Sequence, residues 1–198
     1  ITDKGPTKVS GIGNLGFFCN TMEAGASLTI ASYTGDTAYT VLTENGHAGG
    51  LVGKLKSMAE LTVTPALTLE GSVQTTGEKY AAGGLVGKAD TQKITLTGKL
   101  TCKEKVAASG DDTSVGGFIG NAVFKETKFL NFNSLDIQTT LGDGSHTGGL
   151  FGVLNFDCTA GGTLTLSNAI TATPTFQGSG SWQSGGLIGQ YTANSLKS

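Results

Sequence analysis

Six copies of one short glycine-rich phrase divide the chain into units of similar length. Five copies read Gly-Gly-apolar-apolar-Gly and occupy residues 49–53, 83–87, 116–120, 148–152 and 185–189, and a degenerate first copy occupies 12–16. The last glycines of successive copies are 32 to 37 residues apart, a spacing typical of arrays whose units bury apolar faces against their neighbours. We therefore predict one continuous array over residues 1–198. Its approximate units are 1–16, 17–53, 54–87, 88–120, 121–152 and 153–189, with a partial unit at 190–198.

Alternating apolar and polar residues follow each copy of the phrase, which is the pattern of half-buried strands. Residues 61–64 and 94–97 show this alternation, and two further apolar positions recur downstream in each unit. Each unit therefore offers about three short strands, and no segment has the apolar period of a helix. Three apolar columns result, with one residue from each unit. The first is Leu28, Leu61, Ile94, Leu130 and Leu164; the second is Tyr33, Leu67, Leu100, Leu135 and Ile170; and the third is Tyr39, Val73, Val106, Leu141 and Phe176.

Strands that recur in one order along a chain can stack unit on unit as parallel sheets, about 4.8 Å apart. Parallel crossovers are nearly always right-handed. We therefore predict an all-β fold, a right-handed parallel β-helix or β-solenoid of about six coils of about 34 residues each. A β-sandwich, with the glycine phrases at the ends of hairpins, is the alternative.

The apolar residues of the phrase form the predicted core. The first column, which we expect to be stacked and buried, is Leu51, Leu85, Phe118, Leu150 and Leu187, and Leu61, Ile94, Leu130 and Leu164 should be buried on the next face. A second apolar column directly follows the first, and we align it as Leu15, Val52, Val86, Ile119, Phe151 and Ile188. Adjacent residues of a strand face opposite sides, so either both sides are covered or the glycines bend the backbone. We favour coverage by the protein's own loops. The recurring glycines themselves predict positive φ or close backbone approach.

Charge and composition argue against two classes of partner. The formal net charge is −2, and all 13 basic residues are lysine. A nucleic-acid-binding protein normally presents a basic face with arginine, so we expect no nucleic-acid partner. No apolar run approaches the ~18 residues of a membrane span, so we expect no membrane insertion. The chain begins without Met or a signal peptide, and we expect it to be a segment of a longer protein.

Two candidate sites have plainer structural explanations. Residues 11–16 match the G-x-G-x-x-G dinucleotide fingerprint, and Asp36 lies at about the expected spacing. No helix is predicted after this phrase, so we interpret it as the first repeat. His47 and His146 each lie two residues before a double glycine, three units apart. We interpret both as solvent-exposed loop residues, because their spacing is too large for one metal ion. Their column otherwise holds Ala81, Ser114 and Gln183.

Carboxylates and cysteines give no firmer site. Asp111, Asp112 and Asp143 lie in adjacent units and could hold a weakly bound Ca²⁺, although the nonapeptide pattern of calcium β-rolls is absent. Solvated loop charge is the alternative. The three cysteines fall in alternate units: Cys19, Cys102 and Cys158. Neighbouring pairs are then about 10 Å apart at ~4.8 Å per coil, beyond the ~7 Å reach of a disulfide, so we expect free thiols. We assign no catalytic residue, no cofactor-binding residue and no metal ligand.

Two surfaces could carry recognition. The variable segments before each double glycine have loop compositions and should lie along one edge of the rod, where repeat proteins usually bind ligands. Threonines also recur on the strands that follow the phrase, and a flat array of them could order water as ice does, although threonine is generally favoured on exposed strands. The two columns of this array are Thr29, Thr62, Thr95, Asn131 and Thr165, and Ala31, Thr64, Thr97, Asn133 and Ser167.

The five clear copies of Gly-Gly-Leu-x-Gly, each followed by an Ile-Thr-Leu-type strand, resemble the GLUG-motif repeats of bacterial surface proteins. The resemblance covers nearly the whole chain. It implies an extracellular, bacterial, adhesin-like segment without catalysis. The first copy, with Asn14 where leucine is usual, departs from the pattern.

We accordingly expect a non-catalytic structural or adhesive repeat segment of a secreted or surface-anchored bacterial protein. Its partners would be a host glycan or protein and the neighbouring repeats of a larger protein. A carbohydrate-active β-helix enzyme would need convergent carboxylates, and here the acids scatter over different columns: Glu44, Glu70, Asp90, Glu104, Asp136 and Asp157. That enzyme and an ice-binding solenoid are the alternatives.

Overall fold

A computed structural model describes residues 7–33, 38–90, 93–124, 130–156, 169–178 and 183–193. In these residues every regular element is a β-strand, and 23 strands follow one another along the chain. We number them β1 to β23 in chain order. They form three sheets, and every strand pair in them is parallel.

Sheets 2 and 3 each contain six short strands and run the length of the stack. Sheet 2 contains β2 (Leu15–Gly16), β6 (Ala48–Gly49), β10 (Ala81–Gly83), β14 (Ser114–Gly116), β18 (His146–Gly148) and β22 (Gln183–Gly185). Sheet 3 contains β3 (Cys19–Met22), β7 (Val52–Leu55), β11 (Val86–Asp90), β15 (Ile119–Phe124), β19 (Phe151–Phe156) and β23 (Ile188–Ala193). The sheets contain these strands in chain order, one from each unit, so the chain is a β-solenoid of about five turns.

Sheet 1 has 11 strands in two parallel ladders, which the long strands β9 and β12 join into one sheet. The strands are β1 (Thr7–Ile12), β4 (Ser27–Ile30), β5 (Ala38–Glu44), β8 (Glu60–Val63), β9 (Leu67–Thr76), β12 (Lys93–Cys102), β13 (Lys105–Ser109), β16 (Leu130–Ile137), β17 (Thr140–Leu141), β20 (Ala169–Ala172) and β21 (Thr175–Phe176). The predicted all-β solenoid is confirmed, and the sandwich alternative is excluded by the parallel pairing. No helix in the described residues is long and apolar enough to cross a membrane.

The predicted apolar columns form the core. The prediction was wrong for Leu187 in the last turn and for Tyr39 in the third column. Leu51, Leu85, Phe118 and Leu150 are fully buried, but Leu187 is 47% exposed. In the next column Leu61 and Ile94 are buried, Leu130 is half-buried, and Leu164 lies outside the described residues. In the third column Val41, and not Tyr39, is the residue that pairs with Val73.

A bend in the backbone explains why two adjacent columns are apolar. The prediction that loops cover both faces of the strand was wrong. The chain bends at Gly50 and Leu51, between β6 and β7, so both Leu51 and Val52 are buried in one core. The same bend recurs at the double glycine of each later unit. Adjacent side chains can therefore point into the same interior without a covering layer.

The first unit is aligned differently from the sequence prediction. Gly16 pairs with Gly49, the first glycine of the phrase, and Cys19 pairs with Val52. Residues 12–16 are therefore not the first copy. The residues equivalent to 49–53 are Gly16 to Asn20, and the first step, from Gly16 to Gly49, is 33 residues. The boundary predicted at residue 16 falls inside this copy, and Leu15 belongs to the column of Ala48.

Candidate functional site

Loops between sheets 1 and 2 lie along one edge, as predicted, and they stack closely on one another. Backbone hydrogen bonds join them from turn to turn, for example from the N–H of Asn45 to the carbonyl of Thr76 (2.9 Å) and from the N–H of Lys79 to the carbonyl of Asp111 (2.9 Å). Asn45, Lys79 and Asp112 have positive φ between 54° and 65°, a conformation typical of tight turns. We call residues 44–47, 77–80, 110–113 and 142–146 the loop edge.

His47 lies on this edge but is buried, so its prediction as a solvent-exposed residue was wrong. Its Nδ1 accepts a hydrogen bond from the backbone N–H of Ala81 (3.1 Å), and its ring packs edge-on against Tyr80. Burial and the nearby Lys88 and Lys54 lower its pKa to about 3. Neutral His47 therefore joins two successive turns and has a structural role, since Nδ1 is occupied.

His146 occupies the same column and is half-buried, not a free loop residue. Its Nδ1 lies 3.0 Å from the Gln183 side-chain oxygen, and its Nε2 lies 3.4 Å from Asp112 Oδ1. Backbone pairing of Ala81 with Ser114, and of Ser114 with His146, confirms the predicted column. The two histidines are therefore separated by whole turns, and each contacts its neighbouring turns.

Asp112, one of the three proposed calcium-binding carboxylates, contacts the ring of His146 instead. Asp111 and Asp112 are exposed, as is Asp143 on the next turn. Among the described residues, no three His, Cys, Asp or Glu side chains are close enough to hold a metal ion together. The loop edge is thus a stacked polar surface in which no metal-binding group forms.

The sequence analysis named Glu104 only as one of several scattered acids and did not predict that it is buried. It immediately precedes β13, and its side chain is fully buried beside the second glycines of the phrase. Tyr39, two turns earlier, donates its hydroxyl hydrogen to Glu104 Oε1 (2.7 Å), while Oε2 has no hydrogen-bond partner. Gly71 separates the two in the stack and has φ +125°, and a Cβ there would collide with the backbone of Tyr39. The absence of a side chain at Gly50 leaves room for the Tyr39 hydroxyl.

Burial is the main cause of a raised pKa at both members of this pair. Burial raises the pKa of Glu104 to about 8. The hydrogen bond from Tyr39 lowers this pKa, but by less than burial raises it. Burial and the neighbouring Glu104 raise the pKa of Tyr39 well above its ordinary value. Near neutral pH the pair is a protonated carboxyl and a phenol. No signal in the repeat pointed to it, because the column reads Tyr39, Gly71, Glu104, Thr139 and Pro174.

The cysteines are placed as predicted where the structure describes them. Cys102 is fully buried between Leu69 and Ile137, and burial raises the pKa of its thiol well above the ordinary value. Cys19 is half-buried, and both of these thiols are free. Cys158 lies outside the described residues. A thiol that is buried and protonated is a poor nucleophile.

The sequence analysis predicted that no helix follows the dinucleotide fingerprint, and the structure confirms this prediction. Its residues belong to β1, a turn at Gly13 and β2, after which β3 begins at Cys19. A helix N-terminus is what would bind the pyrophosphate in such a motif. The segment is therefore a turn of the solenoid. Asp36 lies outside the described residues.

The threonine array lies on the outer face of sheet 1. Thr29, Thr62, Thr95 and Asn131 pair in register, and each is exposed or half-buried. In the second column the hydroxyl of Thr64 donates to the carbonyl of Ala31 (3.1 Å).

Comparisons of this chain with family models, with curated proteins and with solved structures give no match.

Ion pairs lie at the borders of the threonine array on sheet 1. Three lysine–carboxylate pairs join neighbouring turns: Lys93 with Glu60 (3.9 Å), Lys99 with Asp136 (3.1 Å) and Lys103 with Glu70 (3.6 Å). Hydrogen bonding from Gln138 and the nearby Lys99 lower the pKa of Asp136. The acids of this face are therefore partners of lysines rather than a convergent catalytic pair.

Proposed function

We propose that this chain is a non-catalytic structural or adhesive repeat segment of a secreted or surface-anchored bacterial protein. The observation that carries the proposal is the outer face of sheet 1, where Thr29, Thr62 and Thr95 form a column in register that is exposed at Thr29 and half-buried at Thr62 and Thr95. Such a column repeats the same hydroxyl once per turn, about every 4.8 Å. A periodic polar face suits a ligand with repeated hydroxyl groups, and we propose a host glycan.

The scaffold role of the chemically capable groups also supports this function. His47, Cys102 and Glu104 are buried in the solenoid, and two of them hold neighbouring turns together by hydrogen bonds. A carbohydrate-active enzyme would need two carboxylates facing one groove. Asp90 and Asp136 are instead paired with lysines on separate sheets.

Binding to immobilised glycans tests the proposal. The double variant Thr62→Ala/Thr95→Ala should weaken binding at least about tenfold if each turn contributes a contact, where tenfold corresponds to about 1.4 kcal/mol. The matched control is Thr40→Ala/Ser72→Ala, a paired column in the other ladder of sheet 1, and it should bind as the unmodified chain does. Equal binding by both variants would contradict the assignment of the ligand to this face.

Two further assays separate the alternative functions. Cleavage of a polysaccharide by the purified chain would favour the enzyme, and thermal hysteresis would favour the ice-binding solenoid. The ion pairs at the borders of the threonine array argue against ice binding, because they place charge beside the hydroxyl rows. We expect neither activity.

A further inference from the structure

Two buried side-chain oxygens lie in adjacent turns of one column, and neither has a hydrogen-bond partner among the described residues. They are Oε2 of Glu104 and Oγ1 of Thr139. Lys105 pairs with Thr140, so the residues that immediately precede them, Glu104 and Thr139, are neighbours in the stack. Both residues are completely buried. An unpaired acid oxygen and an unpaired hydroxyl therefore meet in the middle of the core.

Both oxygens face the column formed by the second glycines of the phrase. A Cβ on Gly84 would lie 3.3 Å from Glu104 Oε2, and a Cβ on Gly117 would lie 2.6 Å from Thr139 Oγ1. The two glycines hold the same place in successive copies of the phrase, and successive turns are about 4.8 Å apart. The two oxygens are therefore about one turn apart beside the same stretch of backbone. We call Glu104, Thr139, Gly84 and Gly117 the inner polar site.

The groups that contact the Glu104 carboxyl leave Oε2 unsatisfied. Tyr39 donates its hydroxyl hydrogen to Oε1 (2.7 Å). The backbone N–H of Glu104 also acts on the carboxyl and lowers its pKa, but it makes no hydrogen bond to Oε2. Burial keeps the carboxyl protonated near neutral pH, because it raises the pKa to about 8. Since Oε1 accepts the bond from Tyr39, the proton belongs on Oε2, which then requires an acceptor.

Water is the ligand whose chemistry matches these two oxygens. Buried polar groups in folded proteins are nearly always paired, either with protein groups or with ordered water. A protonated carboxyl donates one hydrogen bond at Oε2, and a threonine hydroxyl both donates and accepts. A cation matches the site less well, because a protonated carboxyl is a weak ligand. In addition, no three His, Cys, Asp or Glu side chains of the described residues lie together as metal ligands.

We propose that the inner polar site binds one buried water molecule, which bridges Glu104 Oε2 and Thr139 Oγ1. The water accepts the hydrogen of Oε2 and shares a second hydrogen bond with the Thr139 hydroxyl. Hydrogen bonds then run from Tyr39 through Glu104 and the water to Thr139, and they link four successive turns inside the core. This inference concerns a ligand of the scaffold and goes beyond the proposed function.

A crystal structure of the unmodified chain near neutral pH, at a resolution that shows ordered waters, tests the proposal directly. We expect one isolated density peak within about 3.2 Å of both Glu104 Oε2 and Thr139 Oγ1. Three results would overturn the proposal. The two oxygens could contact each other directly, the region could hold no peak, or the peak could have the several oxygen contacts of about 2.3–2.6 Å that identify a calcium ion.

Oxygen-17 magnetic relaxation dispersion, which counts long-lived internal waters, tests the proposal in solution. Thr139→Val removes the hydroxyl and should lower the count by about one. The matched control is Thr113→Val, because Thr113 is also completely buried but its hydroxyl already donates to the carbonyl of Gly110 (3.0 Å). The control should leave the count unchanged. An unchanged count in Thr139→Val, or an equal loss in Thr113→Val, would contradict the bridge. If Thr139→Val does not fold, the crystal structure of the unmodified chain decides the question.

Discussion

Gly84 in the middle of the stack and Gly186 in its last turn hold the same place in the repeated phrase, yet their surroundings differ. A Cβ on Gly84 would collide with the backbone carbonyl of Gly117 in the next turn, and it would lie 3.3 Å from Glu104 Oε2. A Cβ on Gly186 would meet no described atom within 4 Å. The next turn therefore constrains the second glycine of the phrase at Gly84, whereas no described residue constrains it at Gly186.

The three glycines of a central phrase are also required for three different reasons. A Cβ on Gly83 would strike the carbonyl of Val86 in its own bend, and one on Gly87 would lie 2.6 Å from the carbonyl oxygens of Ala48 and Gly53 in the preceding turn. None of these glycines needs positive φ. Of the two explanations that the sequence allowed, close backbone approach is the one that the structure confirms.

The largest difference between the two regions should come from alanine at the second glycine. Gly84→Ala forces a methyl group against backbone atoms that cannot rotate away, so we expect a loss of about 4 kcal/mol or more in the free energy of unfolding, at the top of the usual range. Gly186→Ala should change stability by less than about 0.5 kcal/mol. Urea unfolding of both variants measures the difference, and similar losses would contradict the contrast between the two turns.

Leucine truncation should give the next largest difference. Leu85→Ala removes a fully buried side chain and should cost about 2–5 kcal/mol through lost burial and a cavity. Leu187→Ala in the last turn should cost less than about 1 kcal/mol, because its side chain remains half in solvent. Urea unfolding of both variants measures the difference. A loss for Leu187→Ala as large as that for Leu85→Ala would contradict the exposure of the Leu187 side chain.

The repeated phrase predicted the architecture because each core column is periodic in the sequence. Leu61, Ile94 and Leu130 alternate with polar residues, and their pairing in register is what the alternation indicates. The same logic misaligned the first unit, in which Phe17, Phe18 and Cys19 replace the usual phrase. These residues pack against the core without the glycine spacing of the later copies, so the repeat was not visible there.

The burial of Glu104 and His47 could not be predicted from the repeat. Glu104 lies in a column whose other members have unrelated side chains, and the column of His47 holds Ala81 and Ser114 beside one other histidine, His146. The environment of both residues depends on what neighbouring turns leave empty: Gly50 makes room for the Tyr39 hydroxyl, and Ala81 offers a backbone N–H to His47. Such contacts are set by packing between turns, which single-sequence periodicity does not encode.

Glu104 should make the middle of the stack sensitive to alkaline pH. A carboxyl whose pKa rises from its ordinary 4.5 to about 8 on folding binds its proton more tightly in the folded chain. Its contribution to stability is therefore full below about pH 4.5 and is lost as pH rises through about 8. Pro174 holds the equivalent position in the last turn and cannot titrate.

Substitution of Glu104 by glutamine tests this pH dependence. Glu104→Gln keeps the shape of the protonated acid, so the free energy of unfolding should fall less between pH 5 and 8 than it does in the unmodified chain, by on the order of 2 kcal/mol. Urea unfolding at several pH values measures the slope. Glu60→Gln, in an exposed ion pair with Lys93, is the matched control and should leave the slope nearly unchanged. Parallel slopes for Glu104→Gln and the unmodified chain would contradict a neutral buried acid.

The smallest effect should come from removing a surface charge in a central turn. Lys103 and Glu70 are each about half exposed and lie 3.6 Å apart, so solvent screens their attraction. Lys103→Ala should therefore change the free energy of unfolding by less than about 0.5 kcal/mol. A loss above about 1 kcal/mol, measured by urea unfolding at low and high salt, would tie charge to the stability of each turn.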